Sequence, residues 1–300
     1  MVRSRRGRRL EPRYKPMSLN IDVMTLIAGQ GAEAALQACV AALNCPVDWL
    51  APVACDVTGI PEAAARAVIG DRPIDLIVQP AAGRRKRLLV ADLESTIIEN
   101  EMLEELADFL GLRAHVAEIT RRAMNGEIDF VGALTERVAL LGGLPESVLD
   151  EAASRIRLMP GARALLATSR RAGVTTALVS GGFTVFADRV AADLGFDRVI
   201  ANRLAIADGK LVGTVRPPIV AGATKHDALV SLAREFGLAL DDTLAVGDGA
   251  NDLPMLQAAG LGVAFHAKPA VAAASRARID HADLTALLYA QGYRENEIFR

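Results

Sequence analysis

The chain has 300 residues, of which 51% are hydrophobic and 23% are charged, and its formal net charge is −2. This length exceeds one average domain, and this composition excludes a largely disordered protein. No apolar run approaches the roughly 18 residues that a membrane-spanning helix needs, so we expect a cytoplasmic protein without a membrane partner.

The first 16 residues are basic, with six Arg and one Lys against a single Glu. A basic arm of this kind can contact nucleic acid or a membrane. The segment lacks interleaved aromatic residues and the apolar core of a signal peptide. Its composition therefore favours a disordered leader over residues 1–17, with Met17 as a candidate start, and we expect no nucleic-acid partner.

Residues 18–82 alternate short apolar runs with stretches of helical periodicity. They predict strands at 20–27 and 74–78, one or two strands within 46–57, and helices at 32–43 and 61–69. Two helices among so many strands indicate a small α+β domain of ferredoxin-like type. Its candidate roles are regulation, amino-acid binding, formation of a homodimer, or packing against the rest of the chain.

All three cysteines lie in this first part of the chain, at Cys39, Cys45 and Cys55. Their odd number and the absence of CxxC spacing argue against a disulfide framework and against a zinc site. We expect small buried thiols in a reducing compartment.

A basic linker at 81–87 precedes the apolar run Leu88–Ala91, which is typical of a strand buried on both faces of a parallel sheet. That strand ends on Asp92. Ligands of open α/β sheets bind outside the carboxyl ends of the strands, so we expect Asp92 to face a binding crevice.

Four helical segments follow this strand, separated by Gly111, Asn125-Gly126 and Gly142-Gly143. They are predicted at 102–110, 116–124, 130–141 and 145–156. Because this block is inserted between one strand and the next βα unit, it predicts a small helical cap over the crevice, at about 101–158.

A strand and helix rhythm then returns. Strands are predicted at 174–179, 198–201, 244–246 and 261–265, and helices at 161–171, 185–194 and 225–236. Asp208-Gly209 predicts a hairpin within 204–215. Residues 86–300 are therefore predicted to form an α/β domain with a doubly wound parallel sheet that carries the cap.

Three predicted strand ends collect at one edge of this sheet: Asp92, Ser180 with Gly181, and Asp248. Two carboxylates together with a substrate phosphate and water are the ligands that Mg²⁺ prefers. Residues 247–249 also read Gly-x-Gly, but acidic side chains there would repel a dinucleotide unless a cation came between them.

These residues suit the chemistry of a phosphate monoester. Lys225 is a point charge for the phosphate, and the Ser180 hydroxyl and Gly181 amide are hydrogen-bond donors. In-line attack by Asp92 would give an aspartyl-phosphate. Glu94, two residues on, is spaced to protonate the leaving alkoxide and later to deprotonate water.

Several stretches resemble the phosphoserine phosphatase family of the haloacid dehalogenase superfamily. Asp92-Leu93-Glu94-Ser95-Thr96 is similar to the first superfamily motif, and the segment GDGANDLPM at 247–255 is similar to the fourth. Residues 121–130, RRAMNGEIDF, together with 134–138, resemble the family's cap. The match extends from about Arg87 to the C-terminus, and the N-terminal part resembles, more weakly, the ACT-like extension of bacterial members.

The resemblance implies roles for further residues in binding the substrate. Glu101 would read the substrate's ammonium, and Arg137 its carboxylate, as suits a bidentate guanidinium. Met124 and Phe130 would exclude water. The positions that match the phosphate site are Ser180, Gly181, Lys225 and Asn251.

The resemblance also implies a metal site. Its ligands would be the Asp92 and Asp248 carboxylates and the Glu94 carbonyl. Asp252 would hold Lys225 or a metal-bound water.

Two departures from the family pattern matter. Glu94 stands where the family usually has Asp, and a shift of about 1 Å in an acid/base group can cost on the order of 100-fold in rate. Asn100-Glu101-Met102-Leu103 stands where the family often reads Glu-Cys-Ile-Asp.

The leading hypothesis is Mg²⁺-dependent hydrolysis of O-phospho-L-serine to L-serine and phosphate, the last step of serine biosynthesis. The first alternative is phosphoryl transfer to an acceptor, or hydrolysis of another small phosphomonoester. The second is a non-catalytic sensor of serine or phosphoserine, with a site weakened by Glu94.

Overall fold

The computed structural model describes residues 22–125 and 127–300, so the predicted leader at 1–17 lies outside the described residues. The first domain consists of β1 (Asp22–Ala28), α1 (Glu33–Leu43), β2 (Val47–Ala51), β3 (Ala54–Val57), α2 (Glu62–Ile69) and β4 (Ile74–Pro80). Its antiparallel sheet has the order β2-β3-β1-β4. This is the ferredoxin-like βαββαβ arrangement that the sequence predicts.

The second domain starts with β5 (Leu88–Ala91) and the cap helices α3 (Met102–Asp108), α4 (Arg113–Met124), α5 (Phe130–Ala139) and α6 (Val148–Ala153). The remaining elements are α7 (Ala162–Arg171), β6 (Thr175–Phe183), α8 (Thr184–Leu194), β7 (Arg198–Ala207), β8 (Lys210–Arg216), α9 (Gly222–Glu235), β9 (Thr243–Gly247), α10 (Leu253–Ala258), β10 (Leu261–Phe265), α11 (Pro269–Ala274), β11 (Ala277–Ile279) and α12 (Ala286–Ala290).

The seven strands of this domain form one sheet in the order β11-β10-β9-β5-β6-β7-β8. All neighbouring pairs are parallel except the β7–β8 hairpin, which turns through Asp208 and Gly209 with φ of 50° and 70°. The central strand β5 is buried along its whole length. Its neighbours β9 and β6 lie on opposite sides, so Asp92, at the end of β5, is flanked by the ends of these two strands.

The structure corrects two details of the predicted second domain. Strand β6 does not stop at Val179 but continues to Phe183, and its register with β7 shifts between Ser180 and Phe183. A bulge of this kind re-aims the backbone next to a site. The short elements α10, α11, β11 and α12 are absent from the prediction because three to six residues carry too little periodicity to identify.

The two domains dock through buried contacts. Asp75 on β4 is 4% exposed and accepts hydrogen bonds from the backbone amides of Asp280, His281 and Ala282 at 2.8, 3.2 and 2.9 Å. The first domain's sheet also contributes apolar side chains, Ile77 among them, to the core cluster of the second. No helix in the described ranges combines the length and the apolar character that a membrane crossing requires.

We expect Asp75→Ala to lower the free energy of unfolding by about 2–4 kcal/mol, because three backbone amides at the domain junction lose a charged acceptor. Urea denaturation measures this. Asp71→Ala, at a nearby exposed position, is the control and should change stability little. Equal midpoints for both variants would contradict the docking role of Asp75.

Candidate active site

A buried lysine joins two carboxylates at the end of the central strand. Lys225, in the first turn of α9, is fully buried, and its Nζ lies 2.7 Å from Asp92 Oδ1 and 2.6 Å from Asp252 Oδ1. Asp92 Oδ1 also accepts a hydrogen bond from the Leu93 amide at 2.7 Å. The other oxygen of Asp92 is therefore the one left to face the crevice.

The protonation of this cluster follows from its burial and its charges. Burial by itself lowers the pKa of Lys225, but Asp252 and Asp92 outweigh it and hold that pKa above its usual range. Burial raises the pKa of Asp92, the Asp252 carboxylate adds to the rise, and Lys225 opposes it. A further cation at this place would stabilise Asp92 as a carboxylate.

Three carboxylates could hold that cation. Asp92, Asp248 and Asp252 each offer an oxygen, and these atoms lie within 4.8 Å of one another. Asp248 Oδ2 is buried without a hydrogen-bond partner in the described part of the chain. A Cβ at residue 247 would lie 2.4 Å from Asp252, so only Gly247 permits this approach. A set of hard oxygens of this kind fits a small divalent cation.

Donors for an anion lie on the neighbouring strand β6 and its bulge. Ser180 is 1% exposed, and its Oγ accepts the Gly182 amide at 2.9 Å, which leaves the hydroxyl proton free to donate. Asn202 on β7 donates to the Gly181 carbonyl at 2.7 Å and so fixes this peptide. Asn251, which follows β9, is 8% exposed, and its Oδ1 has no hydrogen-bond partner among the residues described, so this side-chain amide is also available to a ligand.

The carboxylate of Glu94 reaches the first residue of the cap. Its Oε1 accepts a hydrogen bond from the Met102 amide at 2.9 Å. A Cβ at Gly182 would lie 2.8 Å from Glu94 Oε2, so the glycine makes room for the longer side chain. Burial raises the pKa of Glu94 to about 8, and the negative charge of Glu101 adds to the shift. Near neutral pH this carboxyl group can therefore hold a proton and donate it.

Two cap residues carry charges of opposite sign. Glu101 precedes α3 and accepts a hydrogen bond from Ser95 Oγ at 2.7 Å. Arg137 on α5 is 3% exposed, and its guanidinium donates to two neutral oxygens, Ala133 O at 3.0 Å and Thr120 Oγ1 at 2.7 Å. Burial lowers the pKa of Arg137, since its positive charge lacks solvent. The carboxylates of Glu94, Glu101 and Glu104 oppose this shift, but none of them forms an ion pair with Arg137 among the described residues. A ligand carboxylate would supply such a direct partner.

The cap closes directly over the strand ends. A Cβ at Gly181 would lie 2.6 Å from Cζ of Phe130, the first residue of α5. The cavity between the cap and the strand ends is partly open and has a volume of about 20 Å³, which is room for little more than one water, so a larger ligand requires the cap to move. Met124 ends α4, but its side chain lies outside the described residues.

Most of the predicted site residues meet around this cavity. The predicted residues that line it are Asp92, Glu94, Glu101, Phe130, Arg137, Gly181, Asp248 and Asn251. Three others adjoin this set: Lys225 pairs with Asp92 and Asp252, and Ser180 Oγ accepts the amide of Gly182, which also lines the cavity.

Residues 89–257, more than half of the chain, match the sequence profile of the haloacid dehalogenase-like hydrolases. The chain belongs to this family. The chain is similar to phosphoserine phosphatase SerB2 of Mycobacterium tuberculosis, with 39% identity over 95% of this chain and 73% of the relative. The phosphoserine phosphatase of Streptomyces coelicolor is 45% identical over 75% of this chain, and the chain spans 55% of its length.

Solved structures of haloacid dehalogenase-like hydrolases share the fold. A phosphoserine phosphatase solved with bound substrate superposes with a TM-score of 0.66 at 37% identity, and the match covers 68% of this chain and 98% of that structure. The part of the chain that it covers corresponds in length to the second domain.

Sequence reasoning missed one charged residue of this hydrolase site. Lys268, just after β10, forms an ion pair with Asp248, in which its Nζ lies 3.1 Å from Asp248 Oδ2. Burial lowers the pKa of Lys268, but Asp248 and Glu101 outweigh it and raise that pKa overall. The available signal was its position three residues beyond the end of a predicted strand, at the edge where the other site residues collect.

Proposed function

We propose that this hydrolase converts O-phospho-L-serine and water to L-serine and phosphate. The observation that carries the proposal is the buried guanidinium of Arg137, whose hydrogen bonds within the described residues go to neutral oxygens and which lines the same cavity as Asp92 and Glu101. A phosphorylated amino acid supplies what this cavity lacks: a carboxylate for Arg137, an ammonium for Glu101 and a phosphate beside Asp92. The relatives named phosphoserine phosphatases support the same substrate.

The phosphate would bind where positive charge and donors converge. Lys225 supplies a fixed positive charge, and the Ser180 hydroxyl and the Gly181 amide would donate hydrogen bonds to the phosphate. We propose Mg²⁺ as the divalent cation, held by Asp92, Asp248 and the Glu94 carbonyl with Asp252 beside them, where it neutralises charge on the phosphate.

The reaction then needs two steps at Asp92. In the first, the free Asp92 oxygen attacks phosphorus and the bond between phosphorus and the serine oxygen breaks. Glu94 gives its proton to that oxygen, so serine leaves with a neutral hydroxyl group. In the second, Glu94 takes a proton from water, which attacks the aspartyl-phosphate and releases phosphate with Asp92 regenerated. Glu94 lies on the cavity and can serve both steps, which argues against a sensor without turnover.

We also propose that residues 18–82 form an ACT-like unit. Their βαββαβ order and the coverage of 95% of the chain by the Mycobacterium relative support this assignment. The hydrogen bonds of Asp75 join the unit to residues 280–282, none of which lines the cavity at Asp92, so we assign it no part in the chemistry.

We expect Arg137→Ala to raise KM for phosphoserine about 100-fold while changing KM for p-nitrophenyl phosphate little, because only phosphoserine has a carboxylate to lose its partner. Steady-state phosphate release at saturating Mg²⁺ measures both constants. Arg122→Ala, at an exposed cap position, is the control. Equal losses on both substrates would remove Arg137 from substrate recognition and, with it, the main support for phosphoserine.

We expect Gly181→Ala to lower kcat/KM for phosphoserine by about 10- to 100-fold, because the new methyl group collides with the Phe130 ring and displaces the cap. A double-mutant cycle tests the cause. Phe130→Ala removes the collision, so the double variant should be no slower than Phe130→Ala alone. Additive losses would mean that Gly181 acts through its own backbone instead.

A further inference from the structure

Among the lysines that the structure describes, Lys268 is the one near the cavity that the proposed reaction does not use. Its position is fixed by the backbone, because its amide donates to the Asp248 carbonyl at 3.1 Å and the following Pro269 begins α11. Its Nζ lies 3.1 Å from Asp248 Oδ2, the buried oxygen that otherwise has no hydrogen-bond partner in the described chain. The ammonium therefore stands beside an oxygen that a metal ion would need.

The two lysines of the site differ in how firmly they are held. Lys225 is fully buried between two carboxylates, whereas the Lys268 side chain is 32% exposed and pairs with one carboxylate among the residues described, at 3.1 Å. A partly exposed lysine on a four-carbon stem can rotate into water at small cost. Lys225 has no such route, so of these two cations Lys268 is the one able to leave.

The electrostatic environment of Lys268 changes from attractive to repulsive when a metal ion and the substrate bind. Without ligands, Lys268 faces the carboxylates of Asp248 and Glu101. A divalent cation on Asp248 and a substrate ammonium on Glu101 would replace that attraction by repulsion. Removing Lys268 would leave three clustered carboxylates with Lys225 as their only direct ion-pair partner among the described residues.

We propose that Lys268 is the counter-cation of the unloaded site, which neutralises Asp248 until a divalent cation displaces it, and that it thereby weakens and tunes metal affinity. This inference rests on the metal site of the proposed function. Lys268 is a positioning residue in this scheme, since it touches a metal ligand and takes no part in the phosphoryl transfer.

Calorimetric titration of Mg²⁺ into metal-free protein tests the inference without measuring activity. We expect Lys268→Met to bind Mg²⁺ about tenfold more tightly than the wild type, because a like charge within a few ångströms of the ion is removed. Lys210→Met is the matched control. It removes the same charge from an exposed position on β8, three strands from β5, and should change the dissociation constant less than twofold.

Unchanged or weaker binding by Lys268→Met would overturn the inference while leaving the phosphatase proposal standing. A wild type that binds no divalent cation would overturn both. A merely structural lysine would not tighten metal binding when it is removed, so the direction of the change separates the two roles.

Competitive acetylation provides a second readout on the unmodified chain. Acetic anhydride labelling followed by peptide mass spectrometry should show Lys268 becoming several-fold more reactive when Mg²⁺ is added, with Lys210 as internal reference. Reactivity that stays constant or falls would mean that the metal does not release Lys268 from Asp248, and the inference would be wrong.

Discussion

Asp92→Asn is expected to abolish phosphoserine turnover, with a loss of about 10⁴-fold or more, while the protein stays folded. The amide is nearly isosteric with the carboxylate but cannot attack phosphorus. Folding should survive because Lys225 keeps its ion pair with Asp252 at 2.6 Å, and the substitution removes one of three crowded carboxylates. Phosphate release and the thermal unfolding midpoint measure the two halves of this expectation.

The covalent intermediate gives this prediction a direct readout. Acid-quenched wild type mixed with phosphoserine should contain a phosphorylated peptide that includes Asp92, and the variant should contain none. Asp208→Asn, in the β7–β8 turn, is the control because Asn tolerates the left-handed backbone found there. Turnover by Asp92→Asn at the wild-type rate would remove Asp92 as the nucleophile.

The sequence was sufficient to predict that the residues at the strand ends meet, because parallel topology decides where those ends lie. Asp92, Ser180 and Asp248 follow strands that the apolar runs identify, and the carboxyl ends of neighbouring parallel strands share one edge. The ferredoxin-like type of the first domain was also predictable, because β1, β4 and both helices show their period, whereas the short strands β2 and β3 fell within one predicted stretch at 46–57.

The rest depends on tertiary geometry that no local pattern encodes. The docking of Asp75 on three backbone amides joins segments 205 to 207 residues apart. The ion pair of Lys268 depends on a loop between β10 and α11, and a lone lysine in a loop carries no periodic signal. The length of Glu94 was visible in the sequence, but its reach to the Met102 amide depends on how the cap sits on the sheet.

That reach explains how Glu can serve where the family usually has Asp. The extra methylene brings the carboxyl group to the first residue of α3, and Gly182 leaves the space that it needs. In the proposed reaction Glu94 therefore makes two contacts. It gives its proton to the leaving oxygen of the substrate, and it accepts a hydrogen bond from the Met102 amide of the cap. Shortening it should disturb the second contact more than the chemistry.

We expect Glu94→Gln to lower kcat for phosphoserine by about 10²- to 10⁴-fold, because the serine alkoxide is a poor leaving group without a proton. The first step with p-nitrophenyl phosphate needs no such proton, so that substrate should still give a burst of nitrophenol in stopped flow.

Glu94→Asp should retain proton transfer, lose about tenfold in rate, and show faster hydrogen exchange at the Met102 amide.

The pH profile separates an acid from a merely structural carboxyl group. The first step needs protonated Glu94, whose pKa is raised to about 8, so kcat/KM for phosphoserine should fall as pH rises through that value. With p-nitrophenyl phosphate, and with Glu94→Gln on either substrate, this alkaline fall should be absent. If Glu94→Gln slowed the first step of both substrates equally, Glu94 would act by shaping the site, and the proton would have to come from elsewhere.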